Sequence, residues 1–211
     1  MSIYQIPASK VNWTIPSRLS PEKAFLFEDK GSLNILEIGH TDVAIRNYFL
    51  ERGHQFTGLD LISNKADFHC DMNFLPFGKN EFDAVLINST LQYSFSPLQT
   101  FCEINRVLKN EGFVTGTIAF LEPGVWKSLY HPTARGLYEM MRIAGFEVPH
   151  IWPCWNVIDA LIMAIENDNS LIEKETMLQN LKNIQRSDEY SALSMNVNYA
   201  GGLNFQGIKM G

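Results

Sequence analysis

The stretch Asn34-Ile35-Leu36-Glu37-Ile38-Gly39-His40-Thr41-Asp42-Val43-Ala44 constrains the fold more than any other part of the chain. A short apolar run ends in an acid and a glycine and leads into the helical pattern Val43 to Arg52, so it reads as a buried strand, a tight turn and a helix N-terminus. That arrangement suits a cofactor, because first-turn amides have no partner inside the helix and a glycine lets a ligand approach the backbone. Of the three glycines expected in such a loop, only Gly39 is present.

The rest of the chain supplies matching units. Met1 to Leu19 has no clean period and reads as an irregular arm, and Ser20-Pro21-Glu22 starts a helix that runs to Phe27 or Glu28. After the helix from Val43, stopped at Gly53, Gln55 to Leu61 reads as a second strand containing Gly58-Leu59-Asp60. Asp60 lies about twenty residues beyond the glycine turn, where nucleoside folds place a carboxylate that accepts from ribose hydroxyls; its alternative is a solvated strand end. Ala66 to Asp71 gives a short third strand, and Phe82 to Asn88 a fourth of the continuous apolar kind buried on both faces. Ser96-Pro97 opens a helix to about Lys109, and Phe113 to Phe120 is a fifth strand after Asn110-Glu111-Gly112. Pro132-Thr133 leads into a helix through Ala144, and Phe146-Glu147-Val148 begins a sixth strand. From Trp152 to about Ser187 the pattern is helical, with Ser170-Leu171-Ile172-Glu173 as a capping box, and Leu203 to Lys209 closes the chain as a strand. Strands alternating with helices at these intervals predict an α/β fold with a doubly wound, mostly parallel sheet. The expected organisation is one domain: arm and helix over 1–32, cofactor-binding core over 33–150, helical insertion over 151–198, closing strand over 199–211.

At 211 residues and a net charge of −6, without a clustered Lys/Arg stretch, the chain has no electrostatic footprint for nucleic acid or an anionic membrane. A small molecule or another protein is the expected partner, the latter including a second copy of the chain. Cys70, Cys102 and Cys154 are widely separated and lack zinc spacing, which predicts reduced thiols and no metal site. No signal peptide and no apolar run long enough to span a membrane is visible, which makes the cytoplasm the expected compartment.

Four stretches in order resemble class I S-adenosylmethionine-dependent methyltransferases, particularly the small-molecule branch that includes the ubiquinone and menaquinone methylases. They are Ile35-Leu36-Glu37-Ile38-Gly39, Gly58-Leu59-Asp60, Asp71-Met72-Asn73-Phe74-Leu75-Pro76-Phe77 with Phe82-Asp83-Ala84-Val85, and Glu103-Ile104-Asn105-Arg106-Val107-Leu108-Lys109-Asn110-Glu111-Gly112. The resemblance implies a Rossmann-like seven-stranded sheet with an antiparallel last strand, and S-adenosylmethionine as cofactor, leaving as S-adenosylhomocysteine. It places Glu37 and Gly39 beside the methionine part, Asp60 and its neighbour Leu61 at the ribose, Asp71 at the adenine amino group with Met72 against the ring, and Asn88 near the sulfonium. Leu91, Gln92 and Tyr93 would face the acceptor. Thr41 and Val43 stand where the family's second and third glycines would be, so the loop either takes another conformation that admits the cofactor or no longer binds it.

Methyl transfer from a sulfonium chiefly demands alignment, with a base needed only for an acceptor that remains protonated. His40 could contact the cofactor or assist deprotonation, or it could be structural. Asp42 is expected to cap the helix from Val43, competing with a ligand for the same amides. Tyr93 could orient an acceptor or simply pack. His131 and Arg135 lie where relatives build part of the substrate pocket, and Arg135 would pair with a substrate carboxylate or phosphate. Trp126, Tyr130, Trp152 and Trp155 could line an apolar acceptor pocket or pack in the core, and Val157 to Ile165 is either a lid face or a dimer contact. The leading expectation is methyl transfer to a small, partly apolar molecule; the alternatives are a non-catalytic binding or partner subunit of the same fold and a nicotinamide-dependent oxidoreductase.

Overall fold

The computed structural model describes residues 26–27, 30–121, 127–168, 170–187, 190 and 200–211. Among them are seven strands in one sheet: β1 Asn34–Ile38, β2 Gln55–Asp60, β3 Phe68–His69, β4 Phe82–Asn88, β5 Leu108–Ala119, β6 Phe146–Asn156 and β7 Ala200–Lys209. The helices are α1 Val43–Leu50, α2 Pro97–Val107, α3 Ala134–Ile143, α4 Val157–Asn167 and α5 Lys174–Gln185, with a 3-10 turn at Leu91–Tyr93. The order across the sheet is β3-β2-β1-β4-β5-β7-β6. β1 to β5 pair in parallel, and β7 runs antiparallel to both β5 and β6. The expected doubly wound sheet with an antiparallel last strand is therefore the observed one.

The alternation of side chains along the strands builds a core on each face. Leu36, Ile38, Val85 and Ile87 meet Phe101 and Ile104 of α2 and Leu137 and Met141 of α3. Ile35, Ala84 and Leu86 face the other way, against Ile45 and Phe49 of α1 together with Leu26 and Phe27. Phe49 is fully buried within ring contact of Phe27, Tyr48, His54 and Phe56. Removing such a ring costs about 3–5 kcal/mol. A second anchor ties the loop before β4 to α2. Arg106 donates to the carbonyls of Leu75 and Phe77 and pairs with Glu103, whose carboxylate also accepts from Leu75 N–H.

Several expected boundaries move. β3 has two residues where six were expected, and β5 begins at Leu108, passing through a register shift and Glu111 in the left-handed region before the regular pairing from Phe113. β6 runs for 11 residues to Asn156, so Trp152 and Trp155 belong to a strand rather than to the helical segment. β6 is an edge strand, and its pairing with β7 carries register shifts between Glu147 and His150, between Pro153 and Trp155 and between Trp155 and Asn156. Such irregularity is where a proline can sit in a sheet. The capping box at Ser170 is not formed: Ser170 donates to Asp168, and the residue before α5 is Glu173 in a left-handed conformation without a side-chain cap. The helix expected from Pro21 lies outside the described residues except for Leu26 and Phe27. No described helix is long and apolar enough to cross a membrane.

Candidate functional site

A cavity of about 800 Å³ opens along the C-terminal ends of β1, β2, β3 and β4. Open parallel sheets bind ligands outside these ends, at the point where neighbouring connections run to opposite faces. Its lining comes from Ile38, Gly39 and Thr41 after β1, from the run Leu59 to Lys65, from Cys70 to Asn73, and from Ser89, Thr90, Tyr93 and Phe95.

Gly39 is fixed by two requirements. Its φ is +86°, in the region that favours glycine, and a Cβ there would lie 2.0 Å from Thr90 Oγ1. The amides of Gly39 and His40 both donate to Leu59 O, at 2.7 and 3.0 Å, which hooks the loop onto β2. Thr41 and Val43 do not adopt positive φ, so the strain expected from their β-branched side chains is absent. Val43 simply opens α1, capped by Asp42, whose Oδ1 accepts from Ala44 N–H at 2.9 Å. The loop thus takes another conformation from the three-glycine one, and its amides are largely used internally.

Two carboxylates line the cavity. Asp60 Oδ1 accepts from the N–H groups of Ile62 and Ser63 at 2.9 and 2.8 Å, which turns the chain back after β2. Asp71 Oδ1 accepts from the backbone N–H and the side-chain amide of Asn73, both at 2.8 Å. In each case Oδ2 accepts nothing among the described residues. The β2–β3 loop is further held by Asp67, which accepts from Gly58 N–H at 2.7 Å and pairs with Arg46. Burial alone would raise the Asp67 carboxyl, but the Arg46 and Gly58 bonds outweigh it and hold it below the usual range.

The cavity gathers Gly39, Asp60, Leu61, Asp71, Met72 and Tyr93 from the sequence-based set. Leu61 and Tyr93 are solvent-exposed at its mouth, as are Ile62 and Phe95. Other expectations are corrected. His40 is fully buried and its Nδ1 is bonded to Glu37, so neither the imidazole nor that carboxylate forms part of the lining. The reason is strand parity: Glu37 shares the side of Ile35, toward α1, and His40 folds over Gly58, where a Cβ would come within 2.7 Å of the ring. Asn88 is buried, and Ser89 and Thr90 take the cavity wall beyond β4. Leu91 and Gln92 are the buried residues of the 3-10 turn, where Gln92 O accepts from the N–H groups of Leu129 and Tyr130.

His131 is pinned between Ser128 Oγ at 2.6 Å and Phe120 O at 3.0 Å, away from the lining. Arg135 points to solvent, its side chain 78% exposed and ion-paired with Glu139 at 2.5 Å. That i,i+4 spacing was a signal of a solvated helix face. Trp152 and Trp155 lie on β6, the latter against Gly202, and Tyr130 packs on the main core. Trp126 lies outside the described residues. Sequence reasoning missed Lys65, which lines the cavity and whose Nζ donates to Thr41 O at 3.1 Å, joining the two loops that flank it. It also missed Ser94 and Thr100 behind Asn73, which no spacing could reveal because the three come from separate segments. Among the described residues no cluster of His, Cys, Asp or Glu could hold a metal ion.

Residues 36–115 match the sequence profile of a family described as a methyltransferase domain. No curated protein matches the chain. Among solved structures, a SAM-dependent methyltransferase from Archaeoglobus fulgidus superposes with a TM-score of 0.61 at 12% identity, covering 89% of this chain and 90% of that one. Phosphoethanolamine N-methyltransferase 2 from Haemonchus contortus, in complex with phosphomonomethylethanolamine and S-adenosylhomocysteine, gives 0.59 at 19% identity over 88% of this chain and 50% of that one. The [4+2]-cyclase SpnF gives 0.56 at 20% identity over 85% and 75%. These likenesses are of fold: the seven-stranded, mostly parallel sheet with helices on both faces described above.

Proposed function

We propose that this chain, whose residues 36–115 carry a methyltransferase domain, is an S-adenosylmethionine-dependent methyltransferase that acts in the cytoplasm on a small, partly apolar acceptor. The observation that carries the reading is the convergence of Gly39, Asp60 and Asp71 with Met72 on one cavity at the strand ends. The residues present fit the cofactor. The glycine is needed for backbone conformation and space, each of the two carboxylates keeps one oxygen without an acceptor role, and Met72 and Leu61 offer apolar surface between them.

When bound, S-adenosylmethionine supplies a methyl already activated by a sulfonium. The protein's task is then to hold acceptor and cofactor in line and to exclude water. Asp60 Oδ2 would accept from the ribose hydroxyls and Asp71 Oδ2 from the adenine amino group, while Gly39 lets the methionine part lie against the end of β1. Tyr93 and Phe95 would meet the acceptor from the β4 side, Tyr93 with a phenol that can orient it. The exposed apolar side chains of Leu61, Ile62, Tyr93 and Phe95 around one mouth support an acceptor with apolar surface. With His40 buried and His131 pinned, neither histidine serves as a base in this reading, which favours an acceptor that needs none.

Calorimetric titration with S-adenosylmethionine and S-adenosylhomocysteine, repeated on Asp60→Ala, tests the proposal. Micromolar binding that the variant loses is expected. Absence of binding to either nucleoside would refute it and favour a non-catalytic binding or partner subunit.

A further inference from the structure

The side chain of Asn73 is 1% exposed and sits between two sets of partners that demand opposite things of it. On one side is the Asp71 carboxylate, 2.8 Å away, which can only accept. On the other are the hydroxyls of Ser94 and Thr100, at 3.0 and 3.3 Å, themselves buried and 2.8 Å from each other. Hydroxyls serve as donor or acceptor, whereas a carboxylate does not, so the amide nitrogen must face Asp71 and the amide oxygen must face the hydroxyls. Ser94 and Thr100 are anchored in turn, Ser94 by Ser96 N–H at 3.1 Å and Thr100 by its place on α2. The arrangement leaves Asn73 one orientation and gives Asp71 Oδ1 two donors from a single residue.

With Oδ1 taken by two donors, two polar groups of these lining residues have no partner among the described residues: Asp71 Oδ2, an acceptor, and the adjacent Met72 N–H, a donor. An adjacent acceptor and donor complement the amino group and ring nitrogen of a 6-aminopurine. A 6-oxopurine presents the reverse pattern and would set a carbonyl against a carboxylate.

We infer that Asn73 is the positioning residue that makes this site selective for a 6-aminopurine over a 6-oxopurine, by holding Asp71 in a single orientation. The inference rests on the reading of Asp71 as the adenine-facing residue. A carboxylate that loses the Asn73 side-chain amide keeps only the backbone N–H of residue 73 and can turn about that single bond to take a donor elsewhere on the purine, and the penalty against the oxo form falls.

The test is calorimetric titration of the full chain with S-adenosylhomocysteine and with S-inosylhomocysteine, which differ only at purine position 6. Wild type, Asn73→Leu, Asp71→Ala and the double variant are compared. Asn73→Leu keeps the size of the side chain and adds no second carboxylate beside Asp71; it removes the donor and leaves Ser94 and Thr100 to bond each other at 2.8 Å, with urea denaturation as the check that the variant folds. Wild type should prefer the adenosyl ligand, and Asn73→Leu should cut that preference by about tenfold, the scale of one charge-assisted hydrogen bond. In the Asp71→Ala background the same substitution should leave the ratio unchanged. Equal weakening of both ligands, a ratio that still falls without Asp71, or a wild type that binds both alike would overturn the role of Asn73 while leaving the cofactor site standing. Failure of wild type to bind either ligand would overturn the site reading itself and this inference with it.

Discussion

Alanine at position 39 meets two obstacles at once. The backbone there has φ +86°, which costs an L-residue about 1–2 kcal/mol. The new methyl would lie 2.0 Å from Thr90 Oγ1, 2.7 Å from Cγ2 and 2.8 Å from Cβ. Rotating Thr90 can relieve only one of the first two clashes, because its Cβ carries two heavy atoms and one hydrogen, and it leaves the third, so the chain after β4 must itself move, at about 1–3 kcal/mol for overpacking. Rotation also breaks the bond from Thr90 Oγ1 to Asn88 O, worth about 1 kcal/mol. Gly39→Ala should therefore destabilise the fold by about 3–6 kcal/mol, a large share of the roughly 5–15 kcal/mol available to a domain. Urea denaturation followed by circular dichroism measures it as a lowered midpoint with an unchanged slope. Measured in a Thr90→Gly background, the same substitution should cost only the backbone part, about 1–2 kcal/mol. A loss below about 1 kcal/mol in the wild-type background, or an equal loss in both backgrounds, would refute the close approach of the two loops as the reason for glycine.

Asp42→Ala removes the cap of α1 and should cost about 1 kcal/mol in the same assay, with Asp42→Asn retaining most of it. Val43→Gly should not tighten S-adenosylhomocysteine binding, since the backbone there needs no positive φ, and should cost about 0.5–1 kcal/mol as a glycine in a helix; calorimetry showing tighter binding would contradict this. Glu103 gives a pH-dependent prediction. The Arg106 hydrogen bond, opposed by burial, holds its carboxyl below the usual range, so the native state binds fewer protons than the unfolded one near pH 4. The stabilisation is complete above the ordinary glutamate pKa of about 4.3 and is lost as pH falls through the lowered native value. Denaturation midpoints of wild type should fall more steeply below about pH 5 than those of Glu103→Gln, and parallel acid limbs would refute the clamp.

The central sheet was legible because its signals are local. β1 and β4 were read at Asn34 to Ile38 and Phe82 to Asn88, the bounds observed, since a short apolar run between turn residues has little else to become. Asp42 was readable as a cap because a cap is decided within three residues. β6 was legible only at its start, Phe146 to Val148; from Trp152 on the chain looks helical, and only pairing with β7 on one side makes that stretch a strand. The site divides in the same way. Asp60, Asp71 and Tyr93 line the cavity because they follow strand ends, where position along the chain decides position in the fold. His40 follows a strand end too, but its ring was claimed by Glu37, and an acid three residues before a histidine does not say whether the pair faces a ligand or the core. Asn73, Ser94 and Thr100 meet only through the packing of α2 on the sheet, which no single stretch encodes.

The two outer strands of the sheet have a consequence for how this protein survives at high concentration. β3 offers two residues, and β6 carries two prolines, Pro149 and Pro153, which have no N–H, within pairing that slips register. Neither border presents the long, flat row of unpaired backbone groups that templates strand addition between molecules. The segments best suited to cross-β stacking, such as Phe82 to Asn88, are walled in at the middle of the sheet. Aggregation should therefore track the unfolded population rather than contacts between native molecules, so that any substitution destabilising the fold will be read in cells first as a loss of soluble protein.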